Sequence, residues 1–189
     1  MSKSETREYV CVVGGINLDI FGRAENRFIY KDSNPGVVNF SVGGVGRNIA
    51  RDLSSLGINV EFITMFGNDN YASKLKQDCK EKMISLKYSA DAKDKNSSYY
   101  LSLEDKSGEM CAAISDMKIY DSIDPEFIEE RIEVLNSAKL CVLDTNLPKE
   151  TLRYIAKNVK VPIFLDAVSV AKSNKIRPIL SNIHTLKLN

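Results

Sequence analysis

The sequence is poor in the features that mark several large classes of protein. Its four cysteines, Cys11, Cys79, Cys111 and Cys141, are widely separated and match no zinc-binding spacing. Cys11 and Cys141 sit inside apolar strand-like runs and Cys79 on a helical stretch, so reduced, mostly buried thiols are expected rather than a disulfide frame. The single histidine, His184, lies in an apolar strand run and reads as a core or sheet-edge residue rather than a catalyst. Neither sign of charge dominates: 26 basic residues face 25 acidic ones for a net charge of +1, with no basic stripe. That balance argues against nucleic acid or a membrane surface as partner. No apolar run approaches the ~20 residues of a membrane span, and the opening MSKSETREY has no apolar signal core. A cytoplasmic protein is expected. The 189 residues, 43% hydrophobic and 27% charged, suit one globular domain.

Glycine is concentrated where it matters. The stretch SVGGVGRNIA (41–50) places Gly43, Gly44 and Gly46 just before a run that can coil. A glycine-rich turn feeding a helix is a common phosphate cradle. This turn fits neither familiar form. No lysine follows at the spacing of G-x-x-x-x-G-K-[ST], and Ile49 stands where G-x-G-x-x-G needs its last glycine.

Around that turn the chain alternates strand and helix. YVCVVGGI (9–16) and VEFITMFG (60–67) read as strands buried on both faces, as do KLCVLD (139–144) and VPIFLD (161–166), while IHTLKL (183–188) begins another. Helical spacing follows in RNIARDLSSLG, NYASKLKQDCKEKMIS (70–85), DPEFIEERIEVLNSA (124–138) and PKETLRYIAKNV (148–159). The order predicts a three-layer, doubly wound α/β fold with a mostly parallel sheet. Two segments, 21–42 and 97–117, alternate apolar with polar residues instead, the second around a turn at Asp105-Lys106-Ser107-Gly108. They are expected to form a small β-sheet lid, with Phe28, Tyr30 and Tyr100 needing cover.

Ligands of open parallel sheets gather at the carboxyl ends of the strands. There the sequence puts Asn17 and Asp19, Asp144 and Asn146, and Asp166, with the glycine turn and Asn48 delivered by the lid. This rim is rich in carboxylates and amides and poor in cations. A carboxylate such as Asp19 can accept from two adjacent hydroxyls, amides both donate and accept, and bare glycine lets a sugar approach closely. A neutral polyhydroxyl ligand is the expected occupant.

The order N-x-D after the first strand, a two-part lid, then Gly43-Gly44-Val45-Gly46-Arg47-Asn48 opening a helix resembles the ribokinase-like family of carbohydrate and nucleoside kinases. Within it, DSNPG (32–36), VGGVGRNIA (42–50), SSYYLSLEDKSGEM (97–110), AISDM (113–117), DAVSVAK (166–172) and IHTLKLN (183–189) are similar to bacterial pseudouridine kinases. The resemblance implies that ATP with Mg²⁺ phosphorylates the 5′-hydroxyl of a nucleoside. It implies that Gly43, Gly44 and Asn48 grip the ribose, that Asn17 and Asp19 hold its hydroxyls, and that Asn146 faces the same pocket. Ser98 and Met117 would wall the base. Asp166, Lys187 and Asn189 would lie toward the nucleotide, and Lys172 toward its phosphates.

The family's D-T-x-G-A-G-D signature, which carries the general base, does not occur in residues 1–189, and Asn189 stands where an N-x-x-E motif begins. The chain is therefore expected to be the N-terminal portion of one ribokinase-like domain, with no catalytic residue of its own and no metal ligands. A kinase of another sugar or nucleoside is the near alternative, and a non-catalytic nucleoside-binding module the distant one. A homodimer through the lid is expected, because a half-apolar exposed sheet invites a partner.

Overall fold

The computed structural model describes residues 8–188. The chain opens with β1 (Val10–Val13), a wholly buried VCVV strand, and leaves at once for a second sheet through β2 (Asn17–Ala24) and β3 (Gly36–Gly43). It returns through α1 (Val45–Ser55) to β4 (Val60–Ile63), the parallel neighbour of β1. Then come β5 (Met65–Phe66), α2 (Ala72–Glu81), β6 (Ala90–Asp91) and the hairpin β7 (Ser98–Glu104) and β8 (Met110–Asp116). A 3-10 turn (Lys118–Ser122) leads to α3 (Pro125–Glu129), α4 (Ile132–Ser137), β9 (Cys141–Asp144), α5 (Lys149–Asn158) and β10 (Ile163–Asp166). The described chain ends with α6 (Val170–Ser173), a long 3-10 segment (Asn174–Asn182) and β11 (Thr185–Lys187).

The main sheet is fully parallel, in the order β11-β10-β9-β1-β4. Alternate strand residues serve the two faces. Cys11, Val13, Cys141, Leu143, Ile163 and Leu165 pack with Ile128, Leu135, Leu152, Ile155 and Ile179 on one side. Val10, Val12 and Phe62 pack with Ala50, Leu75 and Cys79 on the other. Sheet between helices makes the three layers. β1 lies inside the sheet with β4 on one flank and β9 on the other, so successive crossovers run in opposite directions from it. The carboxyl ends of β1 and β9 therefore mark the switch point where such sheets open a crevice.

The lid is a four-stranded sheet in the order β3-β2-β7-β8. Its hairpin turn forms where expected. The Asp105 carboxylate accepts from the N–H groups of Ser107 (2.7 Å) and Glu109 (3.1 Å), and Gly108 takes φ 84°. Two expectations change. The lid starts at Asn17 rather than at 21, so Asn17 and Asp19 belong to a lid strand, not to a loop closing β1. Its central pair β2–β7 is parallel, although the apolar/polar alternation of these segments is the pattern of half-exposed antiparallel strands.

The boundaries of two elements also differ, for visible reasons. The run 60–67 breaks at Thr64, whose carbonyl accepts from Ala90 N–H (3.2 Å), so β5 pairs with β6 in a separate two-stranded sheet. The helix expected over 124–138 splits. Asp124 caps it and Pro125 opens it, yet the Arg131 guanidinium takes the Phe127 carbonyl (2.7 Å) and stacks on the Phe127 ring at 3.6 Å. The Arg131 N–H then turns to Ile128 O, which closes a tighter turn. Cys11, Cys79 and Cys141 are buried free thiols and Cys111 is half-buried. His184 is a sheet-edge residue, exposed and stacked on Phe164 at 5.2 Å.

Helix α1 is flanked by two glycines with positive φ, Gly44 (100°) before it and Gly57 (79°) after it. A Cβ on Gly44 would lie 2.4 Å from the Gly15 carbonyl oxygen, whereas one on Gly57 would meet nothing within 4 Å. Both alanine variants carry left-handed strain of about 1–2 kcal/mol, so their difference isolates the backbone contact. Chemical denaturation should show Gly44→Ala clearly more destabilised than Gly57→Ala. Equal losses would mean that the approach of Gly44 to Gly15 is not tight.

Candidate functional site at the sheet switch point

The glycine turn is held by a carboxylate from another strand. Asp144, at the end of β9, is fully buried, and its Oδ2 accepts from the N–H groups of Gly15 (2.8 Å) and Gly46 (2.8 Å). Its Oδ1 accepts from Asn146 N–H (2.8 Å). Helix α1 has no side-chain cap and no acidic residue in its first turn, so Asp144 supplies the negative charge that its N-terminus favours. Burial raises the Asp144 carboxyl above its ordinary value, against the pull of the three N–H donors. The residues here must be small. A Cβ on Gly46 would press within 2.9 Å of the Gly14 backbone, and one on Gly43 would lie 2.1 Å from Asp19 Oδ2.

Beside this staple lies a cavity of about 400 Å³, lined by residues that include Asn17, Asp19, Gly44, Asn48, Met117 and Asn146. Asn17 donates to the Asp19 carboxylate from the same side of β2. Burial raises the Asp19 carboxyl, opposed by the Asn17 hydrogen bond and the charge of Arg47. Asn48 is oriented by Arg47, whose guanidinium donates to Asn48 Oδ1 (3.0 Å) and, through Nε, to Asp78 (2.8 Å). Arg47 is itself buried, so this ion pair joins α1 to α2 beneath the site. On the opposite wall Lys172 donates to Asn146 Oδ1 at 2.5 Å. Burial lowers the Lys172 ammonium below the usual lysine value, while Asp144 pulls the other way.

Six of the eight residues expected to hold substrate thus line one cavity. Gly43 is buried behind it against Asp19. Ser98 is buried too, its hydroxyl donating to Met117 Sδ (2.7 Å), so it supports the wall rather than forming it. Tyr100, expected only as a lid aromatic needing cover, faces this cavity together with Ser115. Of the residues expected toward a nucleotide, Asp166 and Lys187 form an ion pair (2.9 Å) across β10 and β11, outside the cavity lining. Asn189 lies outside the described residues. Sequence reasoning missed Arg47, Tyr100, Ser115 and the place of Lys172 beside Asn146. Only Arg47 carried a local signal, a cation directly after the glycine turn.

Among the described residues no three His, Cys, Asp or Glu side chains are grouped to hold a metal ion, and no helix is long and apolar enough to cross a membrane. The chemistry on offer is hydrogen bonding. A carboxylate and three amides converge on the Gly44 backbone, with one ammonium on the far wall.

Comparison with known proteins gives the same lineage throughout. The profile of the "pfkB family carbohydrate kinase" matches residues 7–189. A pseudouridine kinase of Escherichia coli (strain K12) is 39% identical over 184 residues, covering 97% of this chain and 59% of that protein. A pseudouridine kinase of Arabidopsis thaliana is 30% identical over 172 residues, covering 89% of this chain and 45% of that protein. The chain spans roughly half to three fifths of the length of these relatives. Among solved structures, a carbohydrate kinase from Agrobacterium tumefaciens superposes with TM-score 0.85 at 26% identity, over 95% of this chain and 60% of that one. The fold is also that of Arabidopsis thaliana ribokinase complexed with ribose and ATP, with TM-score 0.83 at 20% identity, over 96% of this chain and 60% of that one. With its parallel sheet, its β-lid and a family match over almost its whole length, the chain belongs to the pfkB family of carbohydrate kinases, on the ribokinase-like fold.

Proposed function

We propose that the cavity is the acceptor site of an ATP-dependent kinase that phosphorylates the 5′-hydroxyl of a nucleoside, pseudouridine in the first instance. The observation that carries this reading is the convergence of Asn17, Asp19, Asn48 and Asn146 on the glycine backbone of the switch-point crevice. Asp19 accepts from two adjacent ribose hydroxyls. Asn48, held by Arg47, and Gly44 seat the ring, with Gly43 packed behind Asp19, and Met117 with Ser98 behind it walls the base. Lys172 and Asn146 present donors on the side where negative charge arrives. Phosphoryl transfer depends on positioning and on charge stabilisation rather than covalent help, so a rigid acceptor seat is itself a catalytic contribution. Pseudouridine is favoured over other sugars and nucleosides by the likeness to the two pseudouridine kinases.

The nucleotide side is thinner. Asp166 and Lys187 pair at the carboxyl edge of β10 and β11, and this reading assigns that edge, together with Asn189, to ATP. Magnesium accompanies ATP in this reading, but the described residues offer no ligand cluster for it, and no step is assigned through it. The general base is assigned to no residue here. The protein is read as cytoplasmic.

A second copy is the proposed partner of the lid. By register, Ile20 pairs with Phe40 and Leu101, Leu101 with Ile114, and Gly22 with Val38 and Leu103, so these residues share the face opposite Asp19. On that face Val38, Phe40 and Ile114 are 58%, 49% and 66% exposed, an apolar surface wide enough to need cover. Light scattering should show a dimer that Phe40→Lys with Ile114→Glu converts to a monomer. A wild-type monomer at every practical concentration would refute it.

For the acceptor seat, Asp19→Asn turns an acceptor into a donor facing donors. Losing a charge-assisted hydrogen bond in a closed site costs roughly 1.5–3 kcal/mol, which is tenfold or more in affinity. Calorimetry with pseudouridine should show that loss while ATP binding barely moves. Because burial raises the Asp19 carboxyl, acidification should begin to weaken nucleoside binding at a higher pH than for an ordinary aspartate. Unchanged nucleoside affinity in the variant would remove Asp19 from the site.

A further inference from the structure

Ile16 lies between two sheets and belongs to neither. β1 ends at Val13 and β2 begins at Asn17, so the backbone of Ile16 has no ladder partner, yet the residue is 1% exposed. Buried backbone groups must still be paired. One side chain serves both of them. The Tyr120 hydroxyl accepts from Ile16 N–H (2.8 Å) and donates to Ile16 C=O. A phenol can do both at once, since its oxygen keeps acceptor capacity while its proton is given away. Burial raises the Tyr120 pKa, so the proton stays in place.

The position of Tyr120 gives this pair its consequence. Tyr120 sits in the 3-10 turn that follows the last lid strand through Met117, and its N–H donates to Met117 O (3.1 Å). The tie therefore joins the exit of the lid to its entry, 104 residues apart in sequence. The other roots meet at the same point. Asn17 is the first rung of the lid, paired with Gly43 on one side and Ser98 on the other, and Ser98 bonds to Met117. The ring also fills the space over Gly15, where a Cβ would come within 3.2 Å of the Tyr120 hydroxyl. The residue after the pinned Ile16 is Asn17, and two further on is Asp19.

We propose that the Tyr120 hydroxyl is the pin of the lid hinge, a positioning residue that fixes the angle at which Asn17 and Asp19 enter the acceptor cavity. This rests on the reading of that cavity as the acceptor site. Tyr120 reaches no cavity-lining position of its own; it acts through Ile16. With the pin gone, the lid strands keep their ladders while their common root moves.

The test is Tyr120→Phe in the full chain, which keeps the ring and removes only the hydroxyl. Amide exchange should quicken about tenfold or more at Ile16 and Asn17, while amides of β9 and β10 stay as in the parent. Pseudouridine binding should weaken about tenfold, and in any active enzyme form the acceptor KM should rise by that factor with kcat within about twofold. Unchanged exchange at Ile16 would overturn the proposal. So would a lower melting temperature with unchanged nucleoside affinity, the signature of a purely structural hydroxyl. If exchange rises uniformly across β9 and β10 as well, Tyr120 supports the whole fold and the hinge assignment fails. Should the parent protein not bind pseudouridine, the acceptor reading falls by itself, and the exchange comparison still decides the pin.

Discussion

The buried carboxylate of Asp144 is the constraint on which the rest of the site depends. It gathers N–H groups from the end of β1, the start of α1 and its own loop, and so fixes three chain segments around one point. A buried charge of this kind is tolerable only when its lone pairs are filled by donors, and three backbone groups do that. The helix dipole adds to the same sign of interaction. The consequence is chemical as well as structural. The Gly46 amide, which a phosphate cradle would offer to a ligand, is already occupied by the protein's own anion. What remains open to a ligand is the other side of the turn, with Gly44, Asn48 and the lid carboxylate Asp19.

From that point outward the architecture is a chain of short ties. The Gly44 backbone lies against Gly15 and Ile16, Arg47 N–H donates to Gly15 O (3.0 Å), and Arg47 itself bridges to Asp78. Asp69 performs a parallel duty on the far side of the lid, accepting from Tyr99 hydroxyl (3.0 Å) and from Ser97 at the root of β7. Among the described residues these ties lie at the roots of the lid, while Val38, Phe40 and Ile114 on its outer face are exposed. Such an element can tilt as a body without breaking its own ladders, and the hydrogen bonds at the roots set the angle.

Much of this architecture was legible in the residues because local and global signals agreed. Continuous apolar runs marked the parallel strands, helical spacing such as Leu152 and Ile155 marked the covering helices, and Asp105 with Gly108 marked the hairpin turn. The misreadings fall where a tertiary partner overrode a local pattern. Asn17 and Asp19 are poor strand formers, so they read as the rim after the first strand, yet pairing with Gly43 and Ser41 makes them strand. Tyr100 read as a lid aromatic needing cover, and the register of β7 sets it beside Asp19 on the cavity side. The helix at 124–138 broke because Arg131 captured a carbonyl that helical geometry would have used. For the site itself, residue types pointed to a hydroxyl-rich ligand, but neither the Asp144 staple nor the Tyr120 pin could be seen. Each joins residues about a hundred positions apart, and a lone tyrosine in DMKIYDS carries no local sign of its partner.

The central claim is that the glycine turn serves a nucleoside because its helix-terminal amide is already spent on Asp144. Amide NMR of the labelled protein, titrated in parallel with inorganic phosphate, ATP and pseudouridine, tests it directly. Pseudouridine should shift the resonances of Gly44, Asn48 and Asp19, while the Gly46 amide stays where the Asp144 hydrogen bond holds it in all three titrations. A Gly46 resonance that moves with phosphate or ATP, with Gly44 and Asn48 indifferent to the nucleoside, would show that the turn is a phosphate cradle after all.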